Sequence, residues 1–486
     1  MHFVILFFLG ALLNLAFPPF NLWFAILLFI YPLVIFLRIP SDAYLESFFI
    51  GFIFGLGLFL PGIHWVFISI HEYGQVPMGI SISIVILLAC YMALFVGLSF
   101  LFTKLWIKNK EGNLVYIFPF VFVFFEYLRS IILGGFPWFS VYQSQLYSIF
   151  NSLFPIIGGL GVTFFIIYFC SCILMLFQMK QKKSILIWMF GLVIISISLS
   201  SIDWTDPLDN SISYSIIQTG IDQSVRLSGT NYNQIEMDNL NKITQESSFS
   251  EIIILPEATF ILPDVAIFNQ LASGNSDIIF GAVNRGQVPG YSSNELIALS
   301  YESVQTYFKR RLVPFGEYIP LSDYFAGIFN NIRVPIPLIE KGEDTQSFIE
   351  IKDILFAPSI CFEDAFFETF FSNQEANIFL NITNDGWFND STALSQHISF
   401  SQIRAKEFGK PLLRSANTGI SGHINPDGSI ASKLPIQVQS ILRGEVNGTL
   451  GKTPFGAFGL LSTLVFILII SITHFLVTKL RILFSI

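Results

Sequence analysis

Long uninterrupted hydrophobic stretches fill the first 200 residues of the chain, and much shorter ones follow. A helix needs about 20 apolar residues to cross a hydrocarbon core about 30 Å thick. Seven stretches before Ser201 and one near the end approach that length, which predicts eight transmembrane helices. They cover residues 2–17, 20–37, 47–69, 78–103, 113–133, 154–178, 184–200 and 455–478.

The stretch between the seventh and eighth predicted helices has a different pattern. Short β-branched runs recur at SYSIIQTG, EIIILPE, DIIFGAV, ILFAPSIC and ANIFLNITND, and polar helical stretches such as 233–247 separate them. This alternation predicts one α/β domain. The aromatic and proline-rich segment 320–338 lacks a period and predicts a long loop. The predicted organisation is seven transmembrane helices in 1–200, the α/β domain in 201–454, the eighth helix in 455–478 and a tail in 479–486.

Composition supports a membrane protein. Of the 486 residues, 53% are hydrophobic and 12% are charged, whereas about 25% are charged in a soluble protein. These values exclude an ordinary soluble enzyme, a disordered scaffold and a disulfide-rich secreted module.

Charge divides the chain in the same way. The segment 201–454 holds 29 acidic and 16 basic residues, and the rest holds 5 acidic and 10 basic ones. An acidic domain on an apolar frame is a poor binder of nucleic acid, because nucleic-acid affinity depends on Lys and Arg that neutralise phosphates. We therefore expect a lipid bilayer, and no nucleic acid, among its partners.

Lysine and arginine also predict the orientation of the spans. Nine of the ten basic residues outside 201–454 follow the second, fourth, sixth and eighth predicted helices. They are Arg38, Lys104, Lys108, Lys110, Lys180, Lys182, Lys183, Lys479 and Arg481. Basic loops stay in the cytoplasm. This predicts both termini in the cytoplasm and the α/β domain in the periplasm, on the inner membrane of a bacterium.

The cysteines and histidines show no metal-binding spacing. The four cysteines form no CxxC pair and the six histidines form no HExxH or HxH pattern. Cys361 is the single cysteine of the α/β domain, so it has no disulfide partner there. The sequence predicts no metal and no cofactor.

Three reactive side chains lie at the ends of predicted strands, where a rigid scaffold presents catalytic groups. Glu257 ends EIIILPE, Lys309 lies in YFKRRLVPFGEY, and Cys361 ends ILFAPSIC. A carboxylate can take the proton of a thiol, the thiolate can attack a carbonyl, and an ammonium can stabilise the resulting oxyanion. The residues alone leave other interpretations open: Cys361 as inert core, Glu257 as a helix cap, and Lys309 as part of a solvated basic face.

The words around these residues, LPEA, KRRLVPFGEY and ICFE, occur in this order and resemble the nitrilase superfamily of carbon–nitrogen hydrolases. The resemblance covers about 214–446 and implies an αββα sandwich with a Glu-Lys-Cys triad. LAFPPFNLW, HWVFISIHEYG, EYLRSIILGGFPW, NDGWF and RAKEFGKPLLRSANTGISG extend it over nearly the whole chain. Together they resemble the apolipoprotein N-acyltransferase family.

This resemblance implies roles for five residues. Glu257 would be the general base, Lys309 the stabiliser of the oxyanion and Cys361 the nucleophile, with Glu317 and Glu363 supporting the active site. An acyl chain would pass from a phospholipid to Cys361 as a thioester. The free α-amine of a diacylglyceryl-cysteine at the N-terminus of a lipoprotein would then receive it.

Two positions depart from the family pattern, which usually has tyrosine where this chain has Phe362 and tryptophan where it has Leu227. Any hydroxyl role at the first position is lost, and substrate contact at the second is in doubt. Neither departure changes the triad.

Other residues outside the triad invite a prediction. Glu126 and Arg129 share a helical face within the fifth span. They are predicted either to form an ion pair that fixes helix packing or to contact the substrate. Trp65 is predicted as an aromatic anchor at the membrane surface. Trp387 fits either an apolar loop at the mouth of the site or the core.

Two other functions fit the same pattern. A membrane-tethered amidase of the nitrilase type would use the same triad with water as the acceptor. A transporter with a binding ectodomain would need no triad and would keep Cys361 as core, although the chain shows no internal repeat of the kind transporters often have.

Overall fold

The computed structural model describes residues 2–107, 114–178, 182–229, 232–263, 276–300, 303–320 and 338–484. It divides into two compact units. The helical unit comprises Met1–Phe67, Pro77–Trp204 and Thr453–Ile486, and the α/β unit comprises Ile68–Val76 and Thr205–Lys452. Of the loop predicted at 320–338, residues 321–337 lie outside the described part of the chain.

Apolar helices form the helical unit. They are α1 (His2–Leu13), α2 (Ile30–Arg38), α3 (Tyr44–Gly62), α4 (Met78–Ile107), α5 (Leu114–Ile131), α6 (Phe154–Gln178), α7 (Lys182–Leu199), α8 (Pro454–Phe458) and α9 (Leu460–Phe484). Within the described residues, four stretches are long and apolar enough to cross a membrane: Tyr44–Gly62, Met78–Ile107, Leu114–Gly134 and Asn151–Leu176. The other four predicted spans coincide with shorter apolar helices. The count of eight spans therefore stays a prediction.

Glycines let α1 and α3 pack backbone to backbone. A Cβ atom on Gly10 would lie 2.1 Å from the carbonyl oxygen of Phe54, and one on Gly57 would lie 2.0 Å from that of Phe7. Small residues at such crossings allow close van der Waals packing where lipid removes any hydrophobic drive between helices.

The region after α3 differs from the prediction. Helix α3 ends at Gly62, seven residues before the predicted end of the third span. Trp65 is 3% exposed and packs on Phe136 and Trp138 inside the helical unit. Its prediction as a surface anchor is wrong, because such an anchor must face the lipid headgroups.

Glu126 and Arg129 hold the irregular segment that follows α5. Arg129 donates to the carbonyl oxygens of Phe136 and Trp138, each at 2.7 Å. Glu126 accepts a hydrogen bond from the backbone of Val141 at 3.0 Å. Irregular backbone in an apolar environment needs such internal partners. These contacts favour a structural role for both charges. Both side chains bond to the segment 136–141, whereas the sequence predicts that they bond to each other.

Two β-sheets make up the α/β unit. The first contains β1 (Asp206–Gln218), β2 (Ile252–Ile254), β3 (Phe260–Ile261), β4 (Asp277–Arg285), β5 (Ser292–Leu299), β6 (Val304–Phe308) and β13 (Ser440–Leu450), in the order β13-β1-β2-β4-β5-β6 with β3 beside β4. The second contains β7 (Ile349–Ile351), β8 (Ile354–Ile360), β9 (Ile378–Thr383), β10 (Leu412–Ala416), β11 (Gly422–Ile424) and β12 (Ile430–Lys433), in the order β12-β11-β10-β9-β8-β7.

The alternation of side chains along each strand separates the layers. In β2, Ile252 and Ile254 face a core that also contains residues of the second sheet. Ile253 faces the opposite side, where it packs with residues of the helix α10 (Tyr232–Glu246). Successive residues of a strand point to opposite faces, so one isoleucine run supplies both cores.

A second helical layer covers the outer face of the second sheet. Phe379 of β9 stacks on Phe370 of the helix α11 (Phe367–Phe371), with 4.4 Å between ring centroids. It also packs edge-on against Phe408 of the helix α12 (Ala393–Phe408), at 5.5 Å. The unit is thus an αββα sandwich, as the resemblance implies.

Candidate active site

The ammonium of Lys309 lies between two carboxylates, just beyond the end of β6. Its Nζ is 2.7 Å from Glu317 Oε1 and 3.2 Å from Glu257 Oε1. Lys309 is 1% exposed, and burial alone would lower its pKa, but the charges of Glu257 and Glu317 outweigh burial and hold the pKa well above its usual value. Lys309 is therefore a fixed positive charge at any physiological pH.

Glu257 follows β2 and receives hydrogen bonds on both oxygens. Oε1 accepts from the side-chain amide of Asn294 at 2.7 Å as well as from Lys309, and Oε2 accepts from the backbone N–H of Asn384 at 2.8 Å. The residue is 6% exposed. These bonds fix the direction of the carboxylate and favour a role at this site over that of a helix cap.

Glu317 is held by the turn in which it lies. Its Oε2 accepts from the backbone N–H of Val313 at 2.8 Å, and its own N–H donates to the carbonyl oxygen of Val313 at 2.9 Å. Phe315, between them, has φ +60 and an exposed ring. The turn thus directs Glu317 toward Lys309.

Cys361 begins a short 3-10 turn, Cys361–Ala365, at the end of β8. Its φ is +55, a left-handed conformation that costs about 1–3 kcal/mol for a residue other than glycine. The side chain stays partly exposed. Such backbone strain persists where surrounding contacts enforce it and is common at active sites.

The thiol of Cys361 is protonated at neutral pH. Desolvation raises its pKa and Glu257 raises it further; Lys309 and a hydrogen bond to Thr383 act in the opposite direction, and the net pKa lies well above the usual value. A thiol in this state reacts only if a base takes its proton, and Glu257 is close enough to act on it electrostatically.

Glu363 ties the turn after β8 to the segment that carries Lys309. One carboxylate oxygen accepts from the backbone N–H groups of Arg310 and Arg311 at 2.6 and 2.9 Å. The other accepts from the Tyr307 hydroxyl and from the backbone of Ile360, both at 2.8 Å. Burial raises the pKa of Glu363, against these hydrogen bonds. Glu363 therefore fixes the backbone at Ile360, Arg310 and Arg311.

The two departures from the family pattern occupy different environments. Phe362 is 5% exposed and packs edge-on against Phe366, with 4.9 Å between centroids, so it serves the core. Leu227 is 52% exposed on the short helix α13 (Gln223–Ser228). Next to it on this helix, Arg226 donates to the carbonyl oxygen of Ala258, the residue after Glu257. The exposed leucine therefore lies near the loop that carries Glu257.

Trp387 is covered by a segment from early in the chain. The Ser69 hydroxyl donates to the Trp387 carbonyl oxygen at 2.8 Å, and the Tyr73 ring packs edge-on against the indole at 5.9 Å. Asn389 donates to Glu72 at 2.8 Å and also bonds to the Tyr73 hydroxyl. Trp387 is half-buried, which lies between the two predictions for it.

Several polar residues around the site were not among the predicted ones. Besides Asn294 and Asn384, they are Thr383, Asp364, Asp385, His397 and Arg414. Three of them, Asn384, Asp385 and Arg414, lie in NDGWF and PLLRSANTG, which the sequence marks only through their resemblance to the family. Within the described residues, no group of three or more His, Cys, Asp or Glu is arranged to hold a metal ion.

Comparisons with known proteins cover both units. Residues 9–173 match the family model of the apolipoprotein N-acyltransferase N-terminal domain, and residues 265–455 match that of carbon-nitrogen hydrolase. An apolipoprotein N-acyltransferase from Wigglesworthia glossinidia brevipalpis is 32% identical over 98% of both chains. One from Haemophilus influenzae is 30% identical over 98% of this chain and 95% of that one. Among solved structures, a CN-hydrolase superfamily protein from Xanthomonas campestris is 16% identical, with a TM-score of 0.37, over 49% of this chain and 91% of that chain.

Proposed function

This chain belongs to the apolipoprotein N-acyltransferase family, and from that premise we propose that Glu257, Lys309 and Cys361 perform its acyl transfer. The observation that carries the proposal is the buried Lys309 ammonium, bonded to both Glu257 and Glu317 and close enough to Cys361 to shift its pKa. The full-length relatives favour an acyltransferase over an amidase or a transporter.

The first half-reaction acylates the enzyme. Glu257 takes the proton of the Cys361 thiol, and the thiolate attacks the carbonyl carbon of a phospholipid ester. Lys309 stabilises the negative charge that develops on the carbonyl oxygen. When the tetrahedral intermediate collapses, the C–O bond breaks, and the lysophospholipid alkoxide leaves with the proton held by Glu257. An acyl thioester remains on Cys361.

The second half-reaction transfers the acyl chain. The neutral α-amine of a diacylglyceryl-cysteine attacks the thioester carbonyl, and Glu257 takes a proton from the attacking nitrogen. Lys309 again stabilises the oxyanion. The C–S bond breaks, the sulfur recovers a proton from Glu257, and an amide is released as the triacylated lipoprotein. Glu317 keeps Lys309 in place through both halves, and Glu363 keeps the turn of Cys361 in place.

The proposed membrane arrangement follows the distribution of basic residues. Eight helices would cross the inner membrane, both termini would lie in the cytoplasm, and the segment 201–454 would lie in the periplasm. The support is the set of nine lysines and arginines that follow alternate predicted helices. Phospholipid esters lie at the headgroup level, so an acyl donor would be available at the membrane surface to a catalytic unit on that side.

The decisive experiment is intact-protein mass spectrometry of the full-length enzyme after incubation with phospholipid. We expect a fatty-acyl mass on the wild type that a diacylglyceryl-cysteine peptide discharges. Cys361→Ala should carry no such mass. Cys90→Ala is the matched control, because Cys90 is a partly exposed cysteine in α4 of the helical unit, and it should acylate like the wild type.

The other outcomes identify the alternatives. An adduct that water removes as fast as the peptide does would indicate an amidase-type hydrolase. An adduct that persists in Cys361→Ala would place the nucleophile elsewhere. No adduct on folded wild-type protein, with the lipid confirmed as a substrate for another acyltransferase, would contradict the mechanism.

A further inference from the structure

Four charged side chains that the proposed mechanism does not use form a buried cluster next to the turn Cys361–Ala365. Asp364 belongs to that turn, Asp385 follows β9, His397 lies on α12 and Arg414 lies in β10. Each is 0–1% exposed. The charges come from four separate elements of the sandwich, so the fold itself brings them together.

His397 and Arg414 each bridge the same two carboxylates. His397 Nδ1 is 2.7 Å from Asp385 Oδ1, and His397 Nε2 is 3.2 Å from Asp364 Oδ1. Arg414 reaches Asp364 Oδ2 at 2.9 Å and Asp385 Oδ2 at 3.2 Å. The Ser401 hydroxyl also donates to Asp364 Oδ2, at 2.5 Å. Asp364 and Asp385 are thereby locked to each other through two cationic partners.

The two carboxylates of this cluster favour a protonated histidine, against Arg414, whose Nη2 lies 3.0 Å from His397 Nδ1. Burial and Arg414 lower the pKa of His397, but Asp385 and Asp364 outweigh them and raise it to about 9. Burial raises the pKa of Asp385, yet His397 and Arg414 bring it below its usual value. The cluster thus holds two positive and two negative charges, and loss of the imidazolium proton would leave one buried carboxylate uncompensated.

Contacts connect the cluster to both the backbone and the side chain of Cys361. Arg414 donates to Asn381 Oδ1 at 2.6 Å, and the amide of Asn381 donates to the carbonyl oxygen of Cys361 at 3.2 Å. The Thr383 hydroxyl donates to Asp385 at 3.2 Å, and it lies close enough to the sulfur of Cys361 to lower the pKa of the thiol. The left-handed backbone of Cys361 is therefore held from within the sandwich.

The same cluster is joined to the general base. Asp385 directly follows Asn384, whose backbone N–H donates to Glu257 at 2.8 Å. Asp364 and Asp385 thus belong to the two short turns that present the nucleophile and the partner of the base. A shift of one turn relative to the other would change the distance from sulfur to carboxylate.

We propose that His397, as an imidazolium between Asp364 and Asp385, is a positioning residue that sets Cys361 against Glu257 for proton transfer. The proposal rests on the proposed function, because it assigns His397 a role in the acylation of Cys361. The groups that face His397 are Asp364 from the turn of Cys361, Asp385 from the turn after β9 and Arg414 from β10. A buried charge cluster that only stabilises the sandwich would leave the chemistry of folded enzyme unchanged.

The test compares His397→Asn with the wild type in single-turnover acylation by phospholipid, followed by intact mass. We expect acylation to slow at least tenfold at pH 7 while the KM for phospholipid stays within about twofold. The ratio of variant to wild-type rates should rise toward one above about pH 9, because the wild type then loses the imidazolium. The matched control is His423→Asn, since His423 bonds Tyr214 at 3.2 Å and takes no part in the cluster; its ratio should stay near one at every pH.

A second pair of variants covers a failure of His397→Asn to fold. Thr383→Ser keeps the hydroxyl between Asp385 and the sulfur and should acylate within about twofold of the wild type, whereas Thr383→Val should be at least tenfold slower. Equal rates for the two, or a His397→Asn variant with only a lower Tm and a ratio independent of pH, would overturn the proposal. Wild-type enzyme that forms no adduct would instead overturn the proposed function, and this inference with it.

Discussion

The Glu363 carboxylate accepts a hydrogen bond from the backbone N–H of Arg310, with 2.6 Å between Oε1 and N, although 53 residues separate the two in the chain. Through this bond the turn that begins with Cys361 is attached to the segment that begins with Lys309. Cys361, the proposed nucleophile, and Lys309, the proposed cation for the oxyanion, are thus positioned by one buried carboxylate.

We expect Glu363→Gln to lose both stability and activity. Glutamine keeps one acceptor oxygen and turns an NH₂ group toward donors, so at least one buried N–H loses its partner, at about 1–3 kcal/mol. The acylation rate should fall at least tenfold. Chemical unfolding and single-turnover mass spectrometry measure the two effects. Glu368→Gln, five residues further on, is the control, and a similar loss there would refute a special role for Glu363.

Glu257→Gln should affect thiol reactivity and catalysis in opposite directions. Because the Glu257 charge raises the pKa of the Cys361 thiol, its removal increases the thiolate fraction at a given pH. Alkylation by iodoacetamide should therefore become faster between pH 7 and 9, while acylation by phospholipid falls by about 10²–10⁴-fold for lack of a base. Parallel losses in both assays would mean that Glu257 acts only on the fold.

Lys309→Met should abolish acylation and slow alkylation, since Lys309 lowers the thiol pKa. It also leaves Glu257 and Glu317 without their shared cation, and breaking such a buried pair costs about 3–5 kcal/mol. The double variant Lys309→Met/Glu317→Gln should regain part of this stability and none of the activity. Guanidinium unfolding of the wild type, Lys309→Met, Glu317→Gln and the double variant measures the coupling, and strict additivity of the two changes would contradict it.

Asn389→Ala should release the segment Ile68–Val76 from the α/β unit. It removes the bonds to Glu72 and Tyr73 and leaves the bond from Ser69 to the Trp387 backbone. We expect faster amide hydrogen exchange in 68–76 with unchanged exchange in β8 and β9. Asp390→Ala is the adjacent control. Unchanged exchange in 68–76 would show that Tyr73 and Trp387 suffice to hold the segment.

The sequence predicted the triad and the layers for different reasons. Ile252, Ile253 and Ile254 alternate between two cores, so a short β-branched run was enough to locate a strand. Glu257 and Cys361 follow such runs. The family motifs around them favoured catalytic roles over a helix cap for Glu257 and inert core for Cys361. The proximity of Lys309 to Glu317 was also predictable, because only eight positions separate the two residues in the chain.

The contacts that depend on long-range topology were not predictable from one sequence. Asp364, Asp385, His397 and Arg414 lie on four elements and meet only because β8, β9 and β10 are neighbours in one sheet. Trp65 was misplaced because hydropathy gives no indication of which neighbours cover an aromatic ring. Glu126 and Arg129 were placed on one face correctly, but the loop that they hold lies beyond any helical period.

The bond from Ser69 to Trp387 spans 318 residues, and this separation has a consequence during biosynthesis. A ribosome adds about 5–20 residues per second, so Ser69 leaves the ribosome about 15–60 s before its partner exists. During that interval the segment 68–76 has none of its contacts with the loop 387–389. The loop 387–389 must therefore be synthesised before the segment 68–76 can dock on it, and a catalytic unit expressed from 205 to 452 alone would lack that segment.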